Sequence, residues 1–137
     1  RYTGNDASCV ILVEAGDARL LLTGDIESGV ERALTRSGIP GPVDVIVVPH
    51  HGSHTSSSAA FIASVSARKA LVSAGYRNRW GLPRPDVVQR WQAAGADVLV
   101  TSHDGAIGAR LCDRAGIVQL SRNRQQSRRL WQEPPGH

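Results

Sequence analysis

An apolar segment runs directly into two histidines at Val45-Ile46-Val47-Val48-Pro49-His50-His51-Gly52-Ser53. The β-branched residues before the proline are typical of a strand that is buried on both faces. Two adjacent imidazoles are costly to bury without partners, and a plain surface turn explains them poorly. The segment therefore predicts a buried strand that ends in metal-binding or catalytic side chains.

A second apolar segment of this kind, Leu20-Leu21-Leu22-Thr23-Gly24-Asp25, lies one strand–helix–strand unit earlier. By itself, Gly24-Asp25 is compatible with an ordinary turn before a helix. However, groups at the carboxyl ends of neighbouring strands in an open α/β sheet converge in one crevice. A carboxylate and an imidazole delivered there suit a divalent metal ion that activates water. Together, the two segments favour a metal site over two unrelated turns.

Strand-like and helix-like segments alternate along the chain. We expect strands over 8–14, 18–23, 43–48, 69–73 and 97–101, helices over 27–36, 57–65 and 85–94, and a last hairpin formed by 106–112 and 117–120. This alternation is typical of a mixed α/β fold with helices outside the sheet. From Arg122 onward the chain is polar and arginine-rich, which predicts a disordered tail over 122–137.

The composition sets bounds on size and partners. A chain of 137 residues has room for one domain with one core, which we place at 1–121. The net charge of +4 comes almost entirely from arginine, because Lys69 is the one lysine. This basicity fits a polyphosphate partner, although a solvated surface would look similar. No apolar run reaches the roughly 18 residues that would span a bilayer.

Five segments form a recognisable set, namely Ser8–Glu14, Leu20–Glu27, Val48–Ser58, Ser73–Pro85 and Thr101–Ile107. In these segments the chain resembles the C-terminal metallo-β-lactamase-like domain of ComEC-type DNA-internalisation (competence) proteins. The likeness extends to about residue 120, and its most specific part is the histidine pair with the Gly-Ser and serine-rich residues after it. The resemblance implies a four-layered αββα sandwich, with metal ions at one edge between the two sheets.

The chain also departs from the pattern of that family. The superfamily usually opens its site with a His-x-His-x-Asp-His motif, which this sequence lacks. Because the sequence starts at Arg1 within a strand–turn–strand pattern, we interpret it as the second half of a domain, or as a domain cut from a larger protein. The family tends to have His where Leu82 stands, so one substrate-contacting side chain of the family has no counterpart here.

The resemblance implies roles for individual side chains. Asp25 is expected to be the carboxylate that bridges two divalent ions, zinc or manganese. His51 is the expected imidazole ligand, and His50 is expected to face the substrate phosphate, because adjacent side chains of an extended chain point to opposite sides. Ser53 would donate a hydrogen bond to a phosphate oxygen. Asn78 is expected to contact the substrate, to shape the site, or to serve turn chemistry alone. No small organic cofactor is expected.

A loop rich in arginine and aromatic residues follows the strand predicted over 69–73. Arg77, Arg79 and Arg84 lie in it together with Trp80. Basic residues interleaved with aromatic ones suit single-stranded nucleic acid, through phosphate contacts and base stacking. The alternative is that the Trp80 ring packs in the core.

These features predict a metal-dependent hydrolase domain of the ComEC type. The resemblance implies a nuclease that degrades the DNA strand that is not imported during natural transformation. It also implies a parent protein of the bacterial inner membrane, with a membrane channel upstream of this domain and the domain on the outer, periplasmic side. One alternative is a catalytically silent DNA-binding or structural module of a translocation protein. Another is a related hydrolase that acts on a small phosphodiester or ester.

Overall fold

A five-stranded sheet forms the centre of the structure, a computed structural model that describes residues 2–38, 41–112 and 118–126. Its strands are β1 (Ile11–Ala15), β2 (Ala18–Leu22), β3 (Val45–Val47), β4 (Lys69–Val72) and β5 (Asp97–Val100). They lie side by side in the order of the sequence. β1 pairs antiparallel with β2, and each later pair is parallel. The predicted mixed α/β fold is confirmed at this level.

Three helices connect the parallel strands, namely α1 (Ser28–Arg36), α2 (Ala59–Val65) and α3 (Pro85–Ala93). Two single-turn helices follow, α4 (Thr101–Asp104) and α5 (Asn123–Gln126), and 3-10 turns lie at Gly4–Ala7 and Pro49–Gly52. The sequence predicted the first three helices, whereas it predicted no helix where α4 lies. No helix within the described ranges is long and apolar enough to cross a bilayer.

The apolar side chains of the sheet alternate between two packed faces, as the two-residue period of a strand requires. Leu21, Ile46 and Val72 face the helices and join a cluster that includes Phe61 and Trp91. The opposite face is formed by Val45, Leu71 and Leu99, which pack against a separate ribbon of two strands. The helices therefore cover one face of the sheet, and the ribbon covers part of the other.

The ribbon is the predicted last hairpin, with β6 (Ile107–Leu111) paired antiparallel to β7 (Val118–Arg122). The chain then continues into α5, so the predicted start of a disordered tail at Arg122 falls inside ordered structure. Arg122 forms ion pairs with Asp97 and Asp104, at 3.8 Å and 3.5 Å. These long-range ion pairs explain why Arg122 is ordered, and the local polarity of the sequence does not reveal them. The rest of the predicted tail, 127–137, lies outside the described residues.

The parallel register brings the segments after β2, β3 and β4 to one edge of the sheet. Leu22 lies opposite Val47, and Val47 lies opposite Leu71. The chain leaves these strands at Thr23, Val48 and Ser73. The carboxyl edge therefore carries the segments in which the sequence placed its candidate residues.

Candidate functional site at the carboxyl edge of the sheet

Asp25 lies in a tight turn directly after β2. Gly24 has a φ of +58°, and a Cβ atom there would lie 2.8 Å from Cβ of Ser8. Only glycine satisfies both this backbone conformation and this close approach. The backbone N–H of Asp25 donates to Oγ of Ser8 over 3.1 Å. The turn therefore fixes the backbone of Asp25 while 45% of its side chain stays exposed.

The two histidines after β3 both have left-handed backbone conformations, with φ values of 48° and 54°. Positive φ is uncommon for residues with a side chain and persists where neighbouring structure imposes it. Here the N–H of His50 donates to the carbonyl of Gly24 over 3.1 Å, and the N–H of Ser53 donates back to His50 over 2.9 Å. The buried hydroxyl of Ser56 lies 2.9 Å from the carbonyl of Pro49. The expectation of extended backbone at this point is wrong, because these bonds fold the segment into a turn.

The imidazole of His51 points at Asp25. Nδ1 of His51 lies 2.8 Å from the carbonyl oxygen of Ser73, so this nitrogen must carry the proton that it donates. In the neutral ring, Nε2 then carries a lone pair and no proton, and it lies 3.4 Å from Oδ1 of Asp25. Two acceptors facing each other repel unless a proton or a metal cation lies between them. The arrangement therefore favours a positive charge between the two side chains.

The spacing of this Asp25–His51 pair fits two ligands of one metal ion. Two ligand atoms, each about 2.05 Å from a tetrahedral ion, are about 3.3 Å apart. The observed separation of Nε2 and Oδ1 is 3.4 Å. Donation from one ring nitrogen to a backbone carbonyl, as between His51 and Ser73, is also the usual arrangement of a metal-ligating histidine, whose second nitrogen stays free.

The ligand set within the described part of the chain is partial. Residues 2–38, 41–112 and 118–126 hold no group of three or more His, Cys, Asp or Glu side chains that could bind a metal ion together. A structural zinc site has four ligands and a catalytic one commonly has three protein ligands. The Asp25–His51 pair has the donor types of two such ligands and lacks a third among the described residues.

His50 belongs to a second group of polar side chains, beside the first. Its Nδ1 lies 3.2 Å from Oε1 of Glu27 and 3.3 Å from Oγ1 of Thr55, and its Nε2 lies 3.4 Å from Nδ2 of Asn5. Ser53 is buried, and its hydroxyl lies 3.2 Å from that of Thr55. Sequence reasoning missed these partners of His50. Glu27 was detectable from its place two residues after Asp25, whereas no local pattern marks Asn5.

The loop formed by residues 75–84 packs directly against the histidine turn, by which we mean residues 49–58. The N–H of Arg84 donates to the carbonyl of Gly52 over 2.9 Å. A Cβ atom on Gly52 would lie 2.7 Å from Cβ of Pro83, and Gly52 has a φ of +77°. The 75–84 loop therefore lies beside the histidines, and glycine is needed at the contact.

Asn78 closes the 75–84 loop on itself. Its Nδ2 donates to the carbonyls of Gly75 and Leu82, over 3.0 Å and 2.6 Å. Its Oδ1 accepts from the N–H of Leu82 over 3.0 Å. Both the NH2 group and the oxygen of the Asn78 amide are therefore hydrogen-bonded within the loop, so this side chain shapes the loop.

The basic and aromatic side chains of this loop are stacked on each other and exposed. The guanidinium carbon of Arg77 lies 5.1 Å from the ring centre of Tyr76, and that of Arg79 lies 4.4 Å from the ring centre of Trp80. Trp80 is 60% exposed, so its ring is outside the core. Within the described residues, Arg77, Arg79 and Arg84 have no ion-pair partner.

A buried carboxylate holds the serine-rich end of the histidine turn. Glu31 of α1 is completely buried, and its two oxygens accept the N–H groups of Ser57 and Ser58. From α3, Arg90 donates to the carbonyl of Ser57 over 2.5 Å, and Nε1 of Trp91 donates to the Ser57 hydroxyl over 3.1 Å. The turn is therefore fixed by two helices. Sequence reasoning missed Glu31, because a glutamate within a helix gives no local sign of burial.

The chain is similar to several curated proteins. It is 43% identical to "Uncharacterized protein YcaI" of Escherichia coli over 74% of its length, and 41% identical to "Competence protein ComA" of Neisseria gonorrhoeae over 75%. It is 35% identical to "ComE operon protein 3" of Bacillus subtilis over 85% of its length. The chain spans only 14–15% of the length of these relatives. No protein-family model matches it.

Fold and site together define a mixed α/β unit with a carboxylate–imidazole pair at the carboxyl edge of its parallel strands. Over most of its length the chain is homologous to the ComEC-type competence proteins, and it belongs with them.

Proposed function

We propose that this chain is part of a metal-dependent hydrolase domain that cleaves phosphodiester bonds of DNA, within a protein of DNA uptake. The single observation that carries the proposal is the Asp25–His51 pair, with its 3.4 Å spacing and its anchored imidazole. In the complete domain, which we propose to be an αββα metallo-β-lactamase sandwich, Asp25 and His51 would hold divalent zinc or manganese, with two ions in all. Such ions supply an activated water and neutralise charge at a phosphate.

The side chains around the pair have separate tasks in this proposal. The Ser73 carbonyl orients His51, so that Nε2 faces Asp25. Glu27 and Thr55 hold His50 beside it, where the imidazole would contact the phosphate that is cleaved. Ser53 is buried, and the contact of its hydroxyl with that of Thr55 positions the Thr55 side chain. Asn78 gives the neighbouring loop its shape.

The exposed 75–84 loop supports DNA as the substrate. Arg77, Arg79 and Arg84 have no carboxylate partners within the described residues, so their charges remain available to phosphates. Trp80, stacked under Arg79 and exposed, offers its ring to a base of a single strand. The names of two relatives, Competence protein ComA and ComE operon protein 3, agree with a task in DNA uptake. We propose that the strand degraded is the one that is not imported, on the outer side of the inner membrane, next to a channel formed by the same protein.

A silent DNA-binding module is the second candidate function. The observation that favours it is the absence, within the described residues, of a third metal ligand near Asp25 and His51. In this case the 75–84 loop would bind DNA in the same way and no bond would be cleaved. Measurement of catalysis separates the two candidates.

A nicking assay with supercoiled plasmid and manganese, on the complete domain, tests the proposed activity. Asp25→Ala and His51→Ala should each remove cleavage, because each removes a ligand. Arg110→Ala is the matched control, since Arg110 is exposed on β6, and this variant should cleave normally. Undiminished cleavage by the Asp25 variant would remove Asp25 from the site. A complete domain that binds DNA and cleaves none would favour the silent module.

A further inference from the structure

A cavity lies on the side of the 75–84 loop that faces α3 and β5. Its volume is about 600 Å³. This falls in the range of about 300–1,000 Å³ that is usual for small-molecule and cofactor sites. Leu82 and Pro83 of the loop, Val88 of α3, and Val98 and Val100 of β5 form its apolar lining. Neither the Asp25–His51 pair nor the His50 group belongs to it.

The rim of this cavity is polar and, in the described part of the chain, carries no carboxylate. Arg77, Gln92, Ser102 and His103 are at the rim, and no Asp or Glu among the residues that the structure describes belongs to the lining. The acidic residue of α3, Asp86, lies outside the cavity lining and is paired with Arg90 at 3.1 Å. An apolar interior under a basic, hydrogen-bonding rim matches a flat aromatic group that carries polar edges and a nearby negative charge. A nucleobase with its phosphate has this chemistry.

The loop links this cavity to the Asp25–His51 pair. Pro83 lines the cavity, and a Cβ atom on Gly52, next to His51, would lie 2.7 Å from its Cβ. Arg77 belongs both to the rim and to the stacked arginine–aromatic pairs of the loop. A strand whose phosphates follow the arginines of the loop would therefore reach the cavity at one end and the histidine turn at the other.

We propose that this cavity binds one unstacked nucleobase of a single DNA strand and so sets where the strand lies relative to the Asp25–His51 pair. The proposal rests on the proposed function, because it assumes that the partner is a nucleic acid. It adds a base-binding site to the phosphate contacts of the loop. Val88, Val98 and Val100 contact the faces of the base, and Gln92, Ser102 and His103 meet its polar edges. Specificity for one base is not required, because every base has an aromatic face.

The test compares two oligonucleotides of equal length and charge, oligothymidylate and an abasic strand with the same backbone. Binding is measured by fluorescence anisotropy in EDTA, so that neither metal nor cleavage enters. The wild-type chain should bind oligothymidylate more tightly than the abasic strand. Val88→Trp, which fills the cavity, should weaken oligothymidylate binding about 5- to 150-fold, the range for losing one stacked base, and leave abasic binding unchanged.

Gln89→Trp is the matched control, because Gln89 is the exposed neighbour of Val88 on α3 and lies outside the cavity lining. It should bind both strands as the wild type does. Should Val88→Trp fail to fold, His103→Ala at the exposed rim should give the same selective loss in smaller degree. Addition of thymidine monophosphate should also shift the amide NMR signals of Val88, Gln92 and His103 in the wild-type chain.

Equal binding of the two strands by the wild type would overturn the base site, as would an equal loss on both strands in Val88→Trp. Either result would leave the proposed nuclease standing, since phosphate contacts and metal chemistry do not need this cavity. Conversely, a selective loss in a domain that cleaves no DNA would support the base site and refute the nuclease.

Discussion

Oδ1 of Asp25 and Nε2 of His51 lie 3.4 Å apart, although the two residues follow different strands. The register of β2 and β3 explains this, because Leu22 lies opposite Val47 and the chain turns within a few residues of each. The Ser73 carbonyl, at the end of β4, then fixes the ring of His51. Three parallel strands thus build the pair together.

Divalent metal should bind this chain weakly, with a micromolar or weaker dissociation constant. The reason is that Asp25 and His51 would supply two ligands, whereas stable zinc sites have three or four protein ligands. Calorimetric titration with zinc and with manganese measures this. Asp25→Ala should remove the weak binding, and Asp17→Ala, in the exposed β1–β2 turn, should keep it. Submicromolar binding that depends on Asp25 would show a more complete site.

Replacing Arg77, Arg79 and Arg84 together by alanine should flatten the salt dependence of single-strand binding. Each phosphate contact contributes roughly −0.7 to the slope of log affinity against log salt, so the slope should change by up to about two units. Binding across a salt series gives the slope. The control set is the alanine variant of Arg32, Arg36 and Arg110, which removes the same charge from exposed positions elsewhere. Equal slopes for both triple variants would contradict a specific role for the loop.

Trp80→Ala should weaken single-strand binding by roughly 1 to 3 kcal/mol, the contribution of one stacked base. Since Trp80 is 60% exposed, the free energy of unfolding should change by no more than about 0.5 kcal/mol. Trp91→Ala gives the contrast, because Trp91 is 1% exposed and its loss should cost about 3 to 5 kcal/mol of stability. Anisotropy and chemical denaturation separate the two effects. A large loss of stability in Trp80→Ala would show instead that the Trp80 ring packs in the core.

Gly52→Ala should destabilise the fold more than Gly95→Ala. Both glycines have positive φ, of 77° and 88°, so both variants carry a backbone cost of about 1 kcal/mol. A Cβ atom on Gly52 would also meet Pro83 at 2.7 Å, whereas one on Gly95 has no neighbour within 4 Å. The contact should add about 1 to 3 kcal/mol, as overpacking does. Urea denaturation of the two variants measures the difference, and equal midpoints would refute the close contact.

Glu31→Gln should lower the free energy of unfolding by about 2 to 3 kcal/mol. The amide of Gln has one uncharged oxygen and one NH2 group. One of the N–H groups of Ser57 and Ser58 therefore keeps a weaker acceptor, and the other loses its acceptor and faces a donor. Glu14→Gln is the control. The exposed ion pair of Glu14 with Arg19 should contribute less than about 1 kcal/mol. Denaturation curves give the free energy of unfolding of both variants, and similar midpoints would show that Glu31 does not hold the turn.

Local patterns were enough to predict the strands and the long helices, because apolar periodicity is a property of neighbouring residues. They also predicted that Asp25 and His51 meet, since parallel strands bring their carboxyl ends together. They could not show the left-handed backbone of His50, because bonds to Gly24 and Ser53 impose it. The same holds for the burial of Glu31, whose partners lie in another element. Long-range hydrogen bonds leave little trace in a single sequence.

The attachment of the histidine turn to α1 and α3 has a consequence for the thermodynamics of ligand binding. Glu31, Arg90 and Trp91 fix Ser57 once the helices pack, so the segment from Pro49 to Ser58 is ordered before any ligand arrives. Binding at the histidine turn then requires little further loss of chain entropy. Its heat capacity change should reflect only the surface that the ligand covers, without the large negative term of coupled folding. The helix layer, rather than the ligand, sets the shape of the site.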